Sequence, residues 1–319
     1  MTHSEQNSKN MNDTVCTPYI NKVFTLGEGL VWDANDQSIL MTDILKKLFV
    51  KINPKTRTYE SWSFQEPIGW VFPTKTKNIY LVGLQSGIAL FNTHYPKNLN
   101  WIDKSFPEKK YCRLNDACID SHARIWYGSM NNVDNSAKDG EVASYSTGEG
   151  LKIHDRGFSV VNGPLISPDE KFMYINDTLE GIIYRYDFSV NHGTIKNKQI
   201  FSKFSPTHGF PDGMCFDKEN NLWVAMWGSG CIMRIHPNGN ILKKIHLPAP
   251  NITNICFFGK DNKNLLVSSA SIGIKKDEIN KYPFAGYLFE IKNHDTQGIP
   301  THTASINNDT FDIYCSPNI

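Results

Sequence analysis

The feature that most constrains this chain is a repeat. Six segments align on a small or polar residue, a short apolar run, a polar turn and a second apolar run. They are EGLVWDANDQSILMTD (28–43), IGWVFPTKTKNIYLVG (68–83), NDACIDSHARIWYGS (115–129), NGPLISPDEKFMYIND (162–177), DGMCFDKENNLWVAM (212–226) and TNICFFGKDNKNLLVSS (253–269). They recur about every 40–50 residues, the period of a four-stranded propeller blade. β-Branched and aromatic residues fill the runs, while Asp, Asn, Glu and Lys supply the turns between them. A third run often follows, as at 47–52, 181–186 and 231–235. Helical periodicity is nearly absent, which disfavours α/β barrels and Rossmann folds. A β-sandwich does not need six similar units.

The expected fold is all-β: a six-bladed β-propeller with an N-terminal strand closing the last blade. Residues 22–26 are expected to supply that strand, beside 286–291, because closure removes exposed sheet edges. The expected division is a loosely ordered segment 1–18, a propeller 19–300 and a C-terminal extension 301–319.

Composition narrows the partners. The chain of 319 residues has 33 Lys+Arg against 32 Asp+Glu, so it lacks the basic footprint of a nucleic-acid binder. No window approaches eighteen uninterrupted apolar residues, so no membrane span is expected. The first fifteen residues are polar and lack a secretory apolar stretch, which points to a cytoplasmic protein. Seven cysteines, an odd number with no C-x-x-C pair, read as reduced and mostly buried.

The repeat also points at a site. In a propeller the first strand of each blade lines the central channel, so equivalent positions form a ring. The residues opening the six copies are Glu28, Ile68, Asn115, Asn162, Asp212 and Thr253. Two carboxylates and two amides thus converge from four blades. Oxygen donors on separate rigid strands suit a hard cation such as calcium or magnesium. Without a cation, two carboxylates at one axis would repel and raise each other's pKa. Asn162-Gly163 and Asp212-Gly213 are also ordinary turn pairs; recurrence at one phase favours the site.

These residues sit in longer matching stretches. They are Gly27-Glu28-Gly29-Leu30-Val31-Trp32, Arg113-Leu114-Asn115-Asp116, Val161-Asn162-Gly163 and Pro211-Asp212-Gly213-Met214, with Met173 to Thr178 and Asn221 to Ala225 alongside. Across roughly 22–300 the chain resembles the SMP-30/gluconolactonase/luciferin-regenerating-enzyme family. The resemblance implies one divalent cation held by Glu28, Asn162 and Asp212, with calcium foremost and zinc, magnesium or manganese as alternatives. It implies substrate contacts at Arg113, Asn115 and Asp116, and Asp212 as catalytic base as well as ligand. Two departures stand out. Leu30 replaces a proline often found there, and the insertion 131–139 lacks a glutamate that some sugar lactonases use.

The expected activity is hydrolysis of a sugar-type lactone by metal-polarised water attack, on a monomer or weak homo-oligomer that meets only a small-molecule substrate. A carboxylate bound to a dication is a poor base, so base and ligand roles are shared between Asp212 and acidified water. The competing readings are an organophosphate-type phosphotriesterase on the same scaffold and a non-catalytic propeller that binds calcium or a partner. An open polar channel favours an enzyme, and a channel plugged by apolar side chains favours a scaffold. His208 reads as an exposed loop residue or a proton shuttle, and Asp177 as a group on the substrate side or behind the ligands. No G-x-S-x-G occurs, so a serine nucleophile has no support.

Overall fold

In each repeat the first run becomes a strand and the second folds back on it. Gly27–Asp33 pairs with Ser38–Asp43, Ile68–Pro73 with Ile79–Leu84, and Cys112–Ile119 with Ile125–Asn131. Val161–Ile166 pairs with Phe172–Asp177, Phe210–Phe216 with Leu222–Trp227, and Asn251–Phe258 with Asn264–Ala270. The computed structural model describes residues 15–275, 277–300, 302 and 304.

Third and fourth strands extend each pair outward. Four antiparallel sheets of four strands result, spanning 27–63, 68–103, 112–158 and 161–203. The remaining strands form one eight-stranded sheet instead of two separate sheets. It contains two antiparallel runs, 210–246 and 251–292 with 15–18, joined through the single pair Trp227 and Asn251. Each first strand touches the first strand of the next unit, and Asn251–Phe258 touches Gly27–Asp33, so the cycle closes. The architecture is all-β and propeller-like.

Burial follows position. Ile79–Leu84 is buried at every residue, whereas the outer strand Thr194–Lys203 has no buried residue. The most apolar runs in the sequence are therefore the strands near the axis. At the end of the channel remote from Glu28, buried carboxylates pin the turns. Asp217 accepts from Trp223 Nε1 at 2.9 Å and Arg234 Nε at 2.7 Å, and Asp120 accepts from Trp126 Nε1 at 3.0 Å and Arg124 Nε at 2.8 Å. Both also accept backbone N–H groups of their own turns, which satisfies charges that burial would otherwise disfavour.

The closing strand is not 22–26. Val15–Pro18 pairs with Phe289–Lys292 instead, within the stretch expected to be loosely ordered. Phe24 is fully buried under Gly27, with its N–H donating to the Gly286 carbonyl at 2.8 Å, and Leu26 makes one bridge to Ala270. A residue committed to plugging the core cannot run as an edge strand. Pro18 can, because an outermost strand tolerates a missing ladder donor. Residues 1–14 lie outside the described residues.

The C-terminal segment crosses the far mouth of the channel. Lys218 N–H donates to the Gln297 carbonyl at 2.8 Å and Gly298 N–H to the Asn262 carbonyl at 2.9 Å, while Ala304 N–H donates to the Pro73 carbonyl at 3.0 Å. These anchors lie at turns following three different first strands, so the segment straps across the axis between them. Part of the expected extension 301–319 therefore belongs to the fold, and 305–319 lie outside the described residues. Six cysteines are free thiols, as expected, and Cys315 lies outside the described residues. No helix among the described residues is long and apolar enough to cross a membrane.

A Cβ at Gly298 would lie 2.3 Å from Phe257 Cβ, so Gly298→Val is expected to lift the strap. Overpacking of this kind costs roughly 1–3 kcal/mol, or at least about 2 °C in Tm. Cys215 and Cys256, which line the cavity beneath, should then react faster with a thiol reagent. Unchanged thiol reactivity would show that the strap does not seal the channel.

Candidate functional site

Every first strand breaks register at the same height. The breaks fall between Glu28 and Val31, Ile68 and Trp70, Leu114 and Ala117, Asn162 and Leu165, Pro211 and Met214, and Ile252 and Ile255. A bulge of this kind leaves residues unpaired and re-aims their side chains. Asn115, Asp116, Asp212 and Asn254 fall within the unpaired steps, while Glu28 and Asn162 are the last ladder-paired residues before theirs, opposite Thr42 and Asn176.

Glu28, Arg113, Asn115, Asn162 and Asp212 are all buried, and Asp116 is half-buried. Arg113 Nη1 donates to Asn115 Oδ1 at 2.6 Å and to the Leu114 carbonyl, and its Nε donates to Asn132 Oδ1 at 3.0 Å. Asn115 Nδ2 donates to Asn162 Oδ1 and to the Val161 carbonyl, each at 2.8 Å. Asn162 Nδ2 passes the chain on to Thr178 Oγ1 at 2.9 Å. Glu28 Oε2 accepts from Gly29 N–H at 3.0 Å and from Asn254 Nδ2 at 3.1 Å. Asp116 accepts from the N–H groups of Ala117 and Gly163. The structure thus brings together all six residues singled out from the sequence.

The electrostatics follow from this crowding. Burial, then repulsion from Asp116, pushes Glu28 up to about 8, against its two hydrogen bonds and the attraction of Arg113. Asp212 is held well above the ordinary carboxylate range by burial, by repulsion from Glu28 and Asp116, and by a hydrogen bond with the Glu28 carboxyl. Burial raises Asp116 to about 6. It also lowers Arg113 to about 10, although Glu28 and Asp212 pull the other way. Two carboxyls that share a proton form a site a dication can neutralise.

The donor set fits a hard cation. Among the described residues no three His, Cys, Asp or Glu side chains converge on one point, so an ion here would need amide or water oxygens besides Glu28 and Asp212. Asn162 supplies one amide oxygen. Asn176 donates to the Asp212 carbonyl at 2.6 Å while its own Oδ1 is buried with no partner, leaving an acceptor beside the acid pair unused.

Beneath these residues lies a cavity of about 470 Å³. Gly29, Asp116, Gly163 and Asn254 line it beside the acid site, and Ile299, Pro300 and His302 of the strap line it as well. Its walls are mostly apolar, and Glu28, Arg113, Asn115, Asn162 and Asp212 are not among the residues that line it.

Three further residues take other parts. Thr253, which opens the sixth copy, engages the Gly27 carbonyl at 2.6 Å and Ser268 Oγ at 2.7 Å with its hydroxyl. Its neighbour Asn254 reaches Glu28 instead, because the bulge here places the next residue at the axis. Asp177 holds Ser159, accepting from its N–H at 3.0 Å and from its hydroxyl, so it fixes the chain entering the fourth sheet. His208 stands exposed on the short turn Pro206–His208, paired with Ser205.

With this geometry in place, comparison with known proteins is informative. The family model described as SMP-30/Gluconolactonase/LRE-like region matches residues 26–271. The chain belongs to this family. Among curated members, regucalcin of Danio rerio is 29% identical over 286 residues, covering 87% of this chain and 94% of that protein. A 6-deoxy-6-sulfogluconolactonase of Pseudomonas putida is 26% identical over 281 residues, covering 88% and 94%. The fold is that of luciferin-regenerating enzyme, with a TM-score of 0.86 at 24% identity over 92% of this chain and all of that one. The calcium-binding protein regucalcin of Agrobacterium tumefaciens gives a TM-score of 0.85 at 21% identity, covering 91% and 97%.

The raised carboxyls set a pH dependence for the cation-free protein. Their folded pKa values exceed the ordinary carboxyl value, 4.5 for Glu28, so the folded state holds extra protons above that pH. The associated stability is complete below it and is lost as pH rises through about 6 for Asp116 and about 8 for Glu28. In chelator, Tm should fall between pH 5 and 8.5, and Glu28→Gln should flatten that fall. A divalent cation at a hundred times its Kd should return about 2.7 kcal/mol at pH 8 to the parent protein and little to the variant. Identical melts for both proteins under all conditions would contradict this account of the site.

Proposed function

We propose that this family member is a divalent-cation-dependent hydrolase of the lactonase type, built on a six-bladed propeller in which the eight-stranded sheet counts as two blades. The observation that carries the reading is the buried pair Glu28 and Asp212, facing the Arg113 guanidinium and ringed by amides. A purely partner-binding scaffold has no use for two carboxyls crowded at one axis so that burial and mutual repulsion raise both. The 6-deoxy-6-sulfogluconolactonase relative supports the reaction class.

Glu28, Asp212 and Asn162 would hold the ion. When bound, it would polarise the ester carbonyl and acidify water. The remaining work falls to side chains. Arg113, fixed by Asn132 and Asn115, holds the lactone oxygens in the ground and transition states alike. Asn115 and Asp116 orient the ring from the neighbouring strand positions. Asp212 accepts the proton of the attacking water. The water oxygen bonds to the carbonyl carbon, the ring C–O bond breaks, and the released alkoxide takes up a proton to give the hydroxy acid. Loading requires Glu28 and Asp212 to give up their shared proton, so cation affinity should increase with pH.

A lactone panel run on cation-stripped protein, with each divalent ion added back, tests this directly. Ring opening that depends on the added ion supports a lactonase. Cation binding without turnover of lactones would leave a binding protein, and turnover of phosphotriesters alone would move the activity to the organophosphate class. Asp212→Asn keeps an oxygen ligand but removes the base, so turnover at saturating cation should fall by roughly 10²–10⁴. Near-normal turnover would transfer the base role to acidified water. Arg113→Ala should raise KM more than it lowers kcat if the guanidinium holds ground and transition states alike; a collapse of kcat would assign it to the oxyanion.

A further inference from the structure

Asn254 has no part in the chemistry above, yet its amide touches the carboxylate on which that chemistry depends. It is buried on Asn251–Phe258, the first strand that packs against both Phe210–Phe216, which carries Asp212, and Gly27–Asp33, which carries Glu28. Asn254 therefore stands between the two acids around the axis. Its orientation is set by its own partners. Oδ1 accepts the Ile255 N–H at 2.8 Å, so the donor side, Nδ2, is turned to Glu28 Oε2 at 3.1 Å. A flipped amide would set its NH2 against the Ile255 N–H and its oxygen against a carboxylate. Gly213 keeps the place open, because a Cβ there would lie 2.4 Å from Nδ2 and 2.6 Å from Cγ of Asn254.

Glu28 Oε2 accepts a second donor, the Gly29 N–H, at 3.0 Å. An ionised carboxylate has about four lone-pair sites, two on each oxygen. Both sites on Oε2 are thus filled by N–H groups, one from the backbone of its own bulge and one from the neighbouring strand. The hydrogen bond between Glu28 and Asp212 is given up with their shared proton when an ion loads. What Glu28 can then offer without losing an N–H partner is Oε1. Asn254 is not itself a ligand on this account, since turning its oxygen toward the ion would break both of its hydrogen bonds.

We infer that Asn254 is a positioning residue that sets the cation preference of the site: it occupies Glu28 Oε2, so that Glu28 binds the ion through Oε1 alone and magnesium is accepted as well as calcium. This inference rests on the cation-dependent reading and says how that site chooses its ion. Calcium takes carboxylates through one oxygen or both, in a flexible shell of about six to eight oxygens, whereas magnesium demands near-octahedral geometry at shorter distances. The bite of a two-oxygen carboxylate is too narrow for neighbouring octahedral positions. A Glu28 freed to use both oxygens would therefore suit calcium and not magnesium.

Calorimetric titration of the full-length, cation-stripped protein with Mg2+ and with Ca2+ tests this without any turnover. Asn254→Ala removes the donor and leaves Glu28 in place. Loss of a partner behind a metal ligand typically weakens binding about 10–100-fold, the loss expected for Mg2+, while the freed second oxygen should hold the loss for Ca2+ to about threefold or less. The ratio of the two Kd values should thus move toward calcium by about threefold or more. Gly213→Ala, whose Cβ displaces the amide while Asn254 stays, should move the ratio the same way. Equal losses for the two ions, no loss, or a shift toward Mg2+ would overturn the inference and leave the cation-dependent reading intact. A structure of the parent protein with Ca2+ bound, which needs no variant to fold, should place Oε1 alone within about 2.3–2.6 Å of the ion. Both Glu28 oxygens in that range would also overturn the inference, and failure of the parent to bind either ion would remove it together with the cation-dependent reading.

Discussion

The register break shared by the six first strands is the constraint on which the rest of the site depends. An unbroken strand alternates its side chains between the two faces of its sheet, where Glu28 and Asp212 would meet only neighbouring apolar layers. The bulge frees Asp212 from the ladder, and Glu28 is the last paired residue before its own break, opposite Thr42. Glycines make the break possible for two distinct reasons. Gly29 and Gly163 directly follow Glu28 and Asn162 and sit at φ of +59° and +72°, which L side chains rarely adopt. Gly213, next to Asp212, is needed for closeness: a Cβ there would come within 2.4 Å of Asn254 Nδ2. The glycine steps that look like ordinary turns in the sequence are thus the devices that aim the acids.

Once aimed, the acids are held by hydrogen bonds more than by charge. Arg113 attracts both Glu28 and Asp212, yet burial dominates each group's pKa and outweighs that attraction. The amide relay from Arg113 through Asn115 and Asn162 to Thr178 fixes the surrounding side chains in one arrangement. A fully connected polar network of this kind specifies geometry even where it adds little net stability.

Much of this was legible in the sequence because it is periodic. Six copies at a blade-like period give the sheets, and their shared phase gives Glu28, Asn115, Asn162 and Asp212. What was illegible depends on single-residue geometry. Thr253 and Asn254 are adjacent, and only the details of the bulge decide which one reaches Glu28. Residues 22–26 look like a closing strand in sequence, but Phe24 fills the core and the shorter Val15–Pro18 takes the edge. The strap was less legible: its backbone anchors carry no residue identity, although the Gln297 side chain also bonds Lys218 and the Asp261 carbonyl and Gly298 fits closely against Phe257.

The two ends of the channel are built on opposite physical terms, and this separates stability from chemistry. At the far end, Asp120 and Asp217 fix short turns through buried hydrogen bonds to Trp and Arg side chains, and the strap ties turns of separate repeat units together. Changes there act on the core. At the site end, the loops between second and third strands run from the two-residue Gln85-Ser86 turn to the long stretch 271–288, and their exposed side chains make few such bonds. Loops of this kind tolerate variation on a rigid scaffold. The acids sit on the strands and the variable loops surround them, so the scaffold that aims the acids can stay fixed while the loops change.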